Sequence, residues 1–126
     1  MPHPPQKVEC IIPVLPVSNM LASTRFYTER LGFTLDWGNP SSDTVCSVSR
    51  DGRAIMLKQQ KGDIPTTWVW IGLEDDSLFE EYRSQGITVL QEPQNHPWAY
   101  EMKFADPDGN VLWLGSEPKH NIPFDS

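Results

Sequence analysis

The segment FADPDGNVLWLG, residues 104–115, combines a tight turn with a strand-like run. The sequence Asp106-Pro107-Asp108-Gly109 places proline where a turn needs a fixed φ and glycine where it needs a positive φ. The run that follows, residues 111–114, is apolar throughout, which is typical of a strand covered on both faces. Trp113 is the bulkiest side chain in that run, so we ask which surface its indole contacts.

The turn and its strand have a counterpart earlier in the chain. DGRAIML at residues 51–57 matches DGNVLWL at residues 108–114. An Asp-Gly turn that leads into an apolar strand is a strong hairpin signal. A repeat of this kind indicates two copies of one structural unit, so the segments before each copy should correspond as well.

Those segments predict the same order of elements in both halves. In the second half, Ser77 and Glu80 have the spacing of a capping box at a helix start. In the first half, Ser18 or Asn19 precedes a helix that ends at Gly32. The predicted strands are residues 8–17, 33–37, 44–49, 54–59, 68–73, 87–90, the run before Phe104 and residues 111–114. The order is therefore β-α-β-β-β, given twice, and the prolines of the first strand favour an edge position.

Composition restricts the classes of partner. The formal net charge of −7 argues against nucleic acid, whose phosphates require clustered lysine and arginine. No apolar run approaches the roughly 20 residues that a membrane helix requires, and the start of the sequence does not have the pattern of a secretory signal. We therefore expect a cytoplasmic protein without a membrane partner, and its acidic character mildly favours cationic small molecules.

We predict a single domain with two modules and two tails. The domain is residues 8–117, the modules are 8–60 and 66–117, and the tails are 1–7 and 118–126. The three histidines, His3, His96 and His120, fall in the tails or in a loop. A surface or loop role is therefore favoured over metal ligation for each of them.

Two motifs at their observed separation resemble a known superfamily. FYTERLGFTLDW at residues 26–37 and DPDGNVLWLG at residues 106–115 are similar to the vicinal oxygen chelate superfamily, which includes glyoxalase I, extradiol dioxygenases and bleomycin-resistance proteins. The resemblance implies an α+β fold in which two tandem β-α-β-β-β modules form a curled-sheet cup. It also implies a homodimer, in which modules pair within one chain or between two chains.

The same resemblance gives a test for a metal. Enzymes of the superfamily hold their metal at four inward strand positions, which correspond here to Ile12, Met56, Trp68 and Trp113. Isoleucine and tryptophan offer no suitable lone pair, and a thioether suits soft ions. We therefore predict no metal, no cofactor and no catalytic residues, and the pattern is closest to metal-free bleomycin-resistance-like proteins.

The predicted site is an aromatic cleft. Its anchors are Trp37, Trp68, Trp98 and Trp113, with Met56 and Tyr100 as further contacts and Glu101 at the rim as a partner for a cationic group. Stacked or edge-on rings gain contact area with planar ligands. The sequence thus favours a protein that binds and sequesters a planar aromatic molecule, as bleomycin-resistance proteins do. The bound molecule could also carry a cationic group.

Two other functions stay open from the sequence. One is a divergent metal-dependent lyase or dioxygenase of the same superfamily, with its metal held elsewhere. The other is a non-catalytic dimer whose tryptophans fill a closed core, because indoles in a β-rich domain are often structural.

Overall fold

The computed structural model describes residues 4–125 and confirms the doubled order of elements. The first module contains β1 (Val14–Val17), α1 (Met20–Arg25), β2 (Thr34–Trp37), β3 (Val45–Arg50) and β4 (Arg53–Gln59). The second contains β5 (Trp68–Gly72), α2 (Ser77–Ser84), β6 (Val89–Asn95), β7 (Tyr100–Ala105) and β8 (Val111–Ser116). His3, part of the predicted N-terminal tail, lies outside the described residues. Within residues 4–125, neither helix has the length and apolar character needed to cross a membrane.

Each module forms its own four-stranded mixed sheet. The strand orders are β1-β4-β3-β2 and β5-β8-β7-β6, so β1 lies at an edge, as its prolines predict. In both sheets the first strand pairs in parallel with the last: Val14 lies opposite Met56, and Trp70 lies opposite Trp113. Met56 and Trp113 are therefore equivalent positions of the two modules.

Side-chain alternation on β8 separates the core from the other face of the sheet. Leu112 and Leu114 are fully buried with Met102 and Phe104 of β7, which lie opposite them in register. Phe79 and Tyr82 of α2 belong to the same core cluster, which also contains the buried residues of the first module. Burial of one leucine stabilises the fold by roughly 1.5–3 kcal/mol, so this shared core is the main source of cohesion between the modules.

Two buried tyrosines join the modules reciprocally. The Tyr27 hydroxyl, from the first module, donates to Asp106 Oδ2 in the second module at 2.9 Å. The Tyr82 hydroxyl, from the second module, donates to the carbonyl of Leu31 in the first at 2.8 Å. Burial is the main cause that raises the pKa of Tyr27 well above its usual value and that of Tyr82 to about 12. Both hydroxyls therefore stay protonated and remain donors.

The turn before β8 is built around the Asp106 carboxylate. Its Oδ1 accepts the backbone N–H groups of Asp108 and Asn110 at 2.9 and 2.8 Å, while Oδ2 accepts Asn110 Nδ2 at 2.8 Å as well as the Tyr27 hydroxyl. Burial raises the pKa of the Asp106 carboxyl, and these hydrogen bonds act in the opposite direction. Gly109 has φ +84°, the positive value that the sequence predicted.

Several predicted elements differ locally from the structure. The strand predicted for residues 8–17 begins only at Val14, and the helix after Asn19 changes to a π-helical segment at Phe26–Arg30. Ser77 is the first residue of α2 and no capping box forms, because Asp75 Oδ1 accepts the Ser77 N–H at 3.0 Å instead. The strand predicted for residues 87–90 begins at Val89 and continues to Asn95.

The C-terminal tail is held against the second module by Asn95. The Asn95 side chain donates to the Lys119 carbonyl at 2.8 Å and accepts the Lys119 N–H at 2.9 Å. The backbone N–H of Asn95 donates to the Asp125 carboxylate at 2.7 Å. The tail therefore braces the end of β6, directly before the rim loop that carries Trp98.

Candidate ligand-binding face

One face of the second sheet lies opposite α2 and is lined by indoles. We call it the tryptophan face; it consists of Trp68, Trp70, Lys103, Trp113 and Gly115. Trp68 and Trp70 alternate on β5 with the core residue Val69, so both point away from the core. Trp68 is 56% and Trp70 48% exposed, although buried aromatic area is a large source of stability. This face is therefore open in the single chain.

Trp113 lies between the other two indoles. Its ring centroid is 6.0 Å from that of Trp68 and 5.1 Å from that of Trp70, with interplanar angles of 75° and 86°. Both are edge-to-face contacts, the arrangement that the ring quadrupole favours. The expectation that the β8 strand is covered on both faces agrees with the burial of the strand: one face packs in the core, and on the other Val111 and Gly115 are buried and Trp113 is partly buried between two exposed indoles.

A pair of glycines determines where Trp70 lies. Gly72 of β5 and Gly115 of β8 are opposite each other in register. A Cβ atom at Gly115 would lie 2.7 Å from Cζ2 and 2.9 Å from Cζ3 of the Trp70 ring, closer than side-chain carbons approach one another. The indole therefore lies directly on the backbone of Gly115, and only glycine leaves room for it there.

A cleft of about 340 Å³ opens beside this ring. Its walls include both glycines of the pair together with Trp70, Trp98, Glu74 and Glu117. Clefts for small organic ligands occupy roughly 300–1,000 Å³ and combine aromatic walls with a few polar groups. The volume lies at the lower end of this range, and the walls combine two indoles with the carboxylates of Glu74 and Glu117.

Lys103 extends across the tryptophan face from β7. Its Nζ lies 5.0 Å from the ring centroid of Trp113 and 5.3 Å from that of Trp68. These are cation–π distances, so the ammonium occupies the position that a ligand cation would otherwise take on the same rings.

The rim of the face is formed by the loop after β6. The His96 ring stacks on Trp98 with a centroid separation of 4.5 Å and an interplanar angle of 2°. His96 Nε2 lies 3.1 Å from Gln94 Oε1 and 3.5 Å from Glu101 Oε1. Glu101 is buried, its Oε2 has no hydrogen-bond partner, and it is not among the residues that line the cleft.

The structure brings together some of the predicted site residues and separates others. Trp68 and Trp113 lie on the tryptophan face, Trp98 lies at its rim, and Glu101 is buried behind that rim. Tyr100 lies on the opposite side of β7, where it stacks on Phe79 with a centroid separation of 5.4 Å. Period-two alternation could have found this, because Tyr100 shares its parity with the core residues of β7.

Trp37 and Met56 belong to the first sheet and not to the sheet that carries these indoles. A register shift between Leu35 and Trp37 interrupts the expected alternation of β2, and Trp37 is 49% exposed. The predicted site omitted Trp70, which period-two alternation along β5 puts on the same face as Trp68. It also omitted Lys103 and Gly115, for which the sequence contains no comparable signal.

The equivalent face of the first sheet is polar. We call it the serine face; it consists of Asp36, Ser47, Ser49 and Met56. Asp36 accepts the hydroxyl of Ser47 at 3.1 Å and that of Ser49 at 2.7 Å. Met56 lies opposite Ser47 in register, at the position that corresponds to Trp113.

The four positions at which the superfamily's enzymes hold a metal do not fit one in this chain. Met56 lies on the serine face, Trp68 and Trp113 lie on the tryptophan face, and Ile12 precedes β1. None of the four provides the imidazole or carboxylate that Fe, Mn, Ni or Zn requires. Among residues 4–125, moreover, no group of three or more His, Cys, Asp or Glu side chains has a metal-binding arrangement.

Comparison with known proteins gives the family. The Glyoxalase/Bleomycin resistance protein/Dioxygenase superfamily matches residues 11–114, and the chain belongs to this superfamily. The resemblance inferred from the two motifs is thereby confirmed, as is the fold of two curled-sheet modules. No protein of curated function matches the chain significantly.

Solved structures show the same fold over nearly their whole length. TnmS3, an antibiotic binding protein from Streptomyces sp. CB03234, is 25% identical, with a TM-score of 0.75 over 90% of this chain and 99% of that chain. The integron cassette protein HFX_CASS4 from the Halifax Harbour sewage outfall is 25% identical, with a TM-score of 0.74 over 86% and 97%. TioX from Micromonospora sp. ML1 is 15% identical, with a TM-score of 0.75 over 87% and 99%, and it shows likeness of fold alone.

Proposed function

We propose that the protein binds a planar aromatic small molecule on the tryptophan face and sequesters it without chemical change. The observation that carries this proposal is the set of three edge-to-face indoles, two of them about half exposed, beside the cleft of about 340 Å³. Exposed indoles in contact with one another form a preformed surface on which a planar ring gains area without prior rearrangement.

The chemistry of the face supports binding over catalysis. The alternative of a divergent lyase or dioxygenase requires a metal, and the four corresponding positions provide no suitable ligands. The alternative of a closed aromatic core does not agree with the exposure of Trp68 and Trp70. Likeness to an antibiotic binding protein supports sequestration of an antibiotic as the biological use of the site.

We further propose that the protein is a homodimer and that a second copy completes the cleft. Several large apolar side chains are exposed in the single chain, among them Ile11 at 90%, Val14 at 50% and Leu35 at 37%. They lie on or before the edge strands β1 and β2, which present unpaired backbone groups. A dimer would also bring Trp37 and Met56 of one chain toward the tryptophan face of the other. Sedimentation at micromolar concentration should show a dimer, and a monomer would remove the shared cleft.

Fluorescence titration with 2-naphthamide, a neutral planar probe, tests the binding function. We expect saturable quenching of tryptophan emission, and Trp113→Ala should weaken probe binding by a few-fold to tens-fold because one ring contact contributes ~0.5–1.5 kcal/mol beyond its area. Phe124→Ala is the control for loss of an exposed aromatic ring, since Phe124 belongs to the C-terminal tail, where its ring contacts that of His120. If neither 2-naphthamide nor a broad set of aromatic compounds perturbs the wild-type emission, the binding function is wrong.

A further inference from the structure

Three hydrogen-bond donors without acceptors lie side by side on the second sheet. Lys103 of β7 is opposite Trp113 of β8 on one side and opposite Gln91 of β6 on the other. Lys103 and Trp113 share a face in a regular antiparallel pair, and Gln91 lies opposite Lys103 between two register shifts of β6; we call these three side chains the donor row. Trp113 Nε1 and Gln91 Nε2 are buried and have no hydrogen-bond partner.

Lys103 is one of several basic side chains without a carboxylate partner, whereas Arg50, Arg83 and Lys119 have one. No carboxylate of the described chain lies within 4.0 Å of the Lys103 ammonium, which lies over two indole faces. A partly buried ammonium without an anion is an incomplete interaction.

The two buried donors beside the partly buried ammonium are unfavourable in a folded protein unless an acceptor joins them. A buried donor left without a partner costs about 1–3 kcal/mol, and native structures contain few of them. The two buried donors and the ammonium together define the chemistry of the group that would complete them: an oxygen with lone pairs, and a negative charge for the ammonium.

We infer that the donor row recognises an anionic oxygen on the aromatic ligand, so that the ligand class is a planar aromatic acid such as a ring carboxylate or phenolate. This inference rests on the binding function proposed above. The ring stacks on the indoles of the tryptophan face, and its oxygen is placed between Lys103 Nζ, Trp113 Nε1 and Gln91 Nε2.

Lys103 is the side chain that must move for this to happen. The two buried donors do not contact solvent, so an oxygen reaches them only if something over the row is displaced. The lysine has a flexible four-carbon stem and no hydrogen bond that holds its ammonium in place. On ligand binding the ammonium leaves the indole faces for the oxygen, and the ligand ring takes over the aromatic contact.

The expected ligand therefore carries a negative charge, whereas the sequence suggested a positive charge as one option. That option depended on the acidic composition and on Glu101 as a rim carboxylate. Glu101 is instead buried beside His96 and does not line the cleft. The carboxylates of Glu74 and Glu117 line the neighbouring cleft, whereas the Lys103 ammonium lies over the rings of Trp68 and Trp113 themselves. The charged group nearest these two rings is therefore a cation, which favours an anionic oxygen there.

Three probes that share one ring system test the inference: 2-naphthoate is anionic, 2-naphthamide neutral and 2-naphthylmethylammonium cationic at pH 7.5. We expect the wild type to bind 2-naphthoate about tenfold more tightly than 2-naphthamide, and to bind the cation most weakly, measured by calorimetry and tryptophan quenching. The neutral probe reports the binding function by itself, and the ranking reports the donor row.

Variants of the donor row test which side chain causes the preference for the anionic probe. Lys103→Met keeps the length of the side chain and should lower the affinity for 2-naphthoate to that for 2-naphthamide, while 2-naphthamide itself binds as before. Lys103→Arg should keep most of the preference, and Gln91→Leu should lower it by a few-fold. Lys61→Met is the charge-matched control, because Lys61 is exposed in the joint between the modules.

The outcomes separate the two proposals. If 2-naphthamide binds but the wild type binds all three probes alike, or prefers the cation, the donor-row inference is wrong and the binding function stands. If no probe binds, both are wrong. A dimer structure in which a partner carboxylate pairs with Lys103 without any probe would also overturn the inference. If Lys103→Met does not fold, the ranking of the probes by the wild type decides alone.

Discussion

The tryptophan face and the serine face occupy equivalent places in the two modules, yet their chemistry is opposite. On the serine face, Asp36 accepts both neighbouring hydroxyls, so the polar groups satisfy one another. On the tryptophan face, an indole N–H and an amide remain without acceptors. The strands that carry both faces pair in the same register and bury similar apolar residues on their other side. The buried side of each strand thus maintains the fold, and the other side is free to differ.

The largest expected losses of stability come from substitutions on the buried side of β4 and β8, and smaller losses come from the opposite side of the same strands. Leu57→Ala and Leu112→Ala, both at fully buried positions, should each lower the free energy of unfolding by about 2–5 kcal/mol. Met56→Ala and Trp113→Ala, their neighbours on the opposite faces, should each lower it by roughly 1–2 kcal/mol because these side chains are only partly buried. Urea unfolding measures all four. A loss at Trp113 as large as that at Leu112 would show that the indole belongs to a closed core.

A second prediction concerns the glycine beneath Trp70. Gly115→Ala should lower the free energy of unfolding by about 1–3 kcal/mol, because the new methyl group displaces the ring. Gly72→Ala is the matched control from the same pair; its Cβ would meet only Trp70 Nε1, at 3.3 Å, so its effect should be smaller. Combining Gly115→Ala with Trp70→Ala should recover most of the loss. Strict additivity of the two changes would contradict the contact.

The hydroxyls of the two tyrosines that join the modules should contribute different amounts to the free energy of unfolding. Tyr27→Phe removes a donor from the buried Asp106 carboxylate and should cost about 1.5–3 kcal/mol, as hydrogen bonds to charged groups do. Tyr82→Phe should cost about 0.5–1.5 kcal/mol, since the Leu31 carbonyl keeps the Arg50 donor at 2.7 Å. Thermal or urea unfolding of the pair compares them directly. The reverse order would mean that the Asp106 turn tolerates the loss of its tyrosine.

The smallest expected effect is that of a chelator. Since Met56 and Trp113 replace metal ligands at equivalent positions, EDTA should leave both the Tm and the binding of 2-naphthamide unchanged. Elemental analysis of protein purified without chelator should find no stoichiometric Ni, Zn, Mn or Fe. A stoichiometric metal that is lost on mutation of either face would restore the enzyme hypothesis.

The sequence predicted the fold more completely than the site, for a physical reason. Glycine turns, capping residues and strand alternation are local signals, and they predicted the order of the strands and helices with shifts of a few residues at β1, β6 and α2, but not the π-helical segment at Phe26–Arg30. The site depends on which residues meet across strands. The contact of Trp70 with Gly115, and the alignment of Trp113 with Lys103 and Gln91, arise from register and ring orientation, which one chain segment alone does not encode. Tyr100 is different, since alternation along β7 by itself places its ring on the core side.

The perpendicular indoles on the tryptophan face also have an optical consequence. Transition dipoles of rings with centroids 5.1 and 6.0 Å apart couple, so the near-degenerate indole bands of Trp113 and its two neighbours split into a pair of circular dichroism signals of opposite sign. A planar guest that separates these rings, or reorients one of them, would collapse that couplet. The molecule thus carries an intrinsic chromophore array whose ellipticity reports occupancy without any added dye.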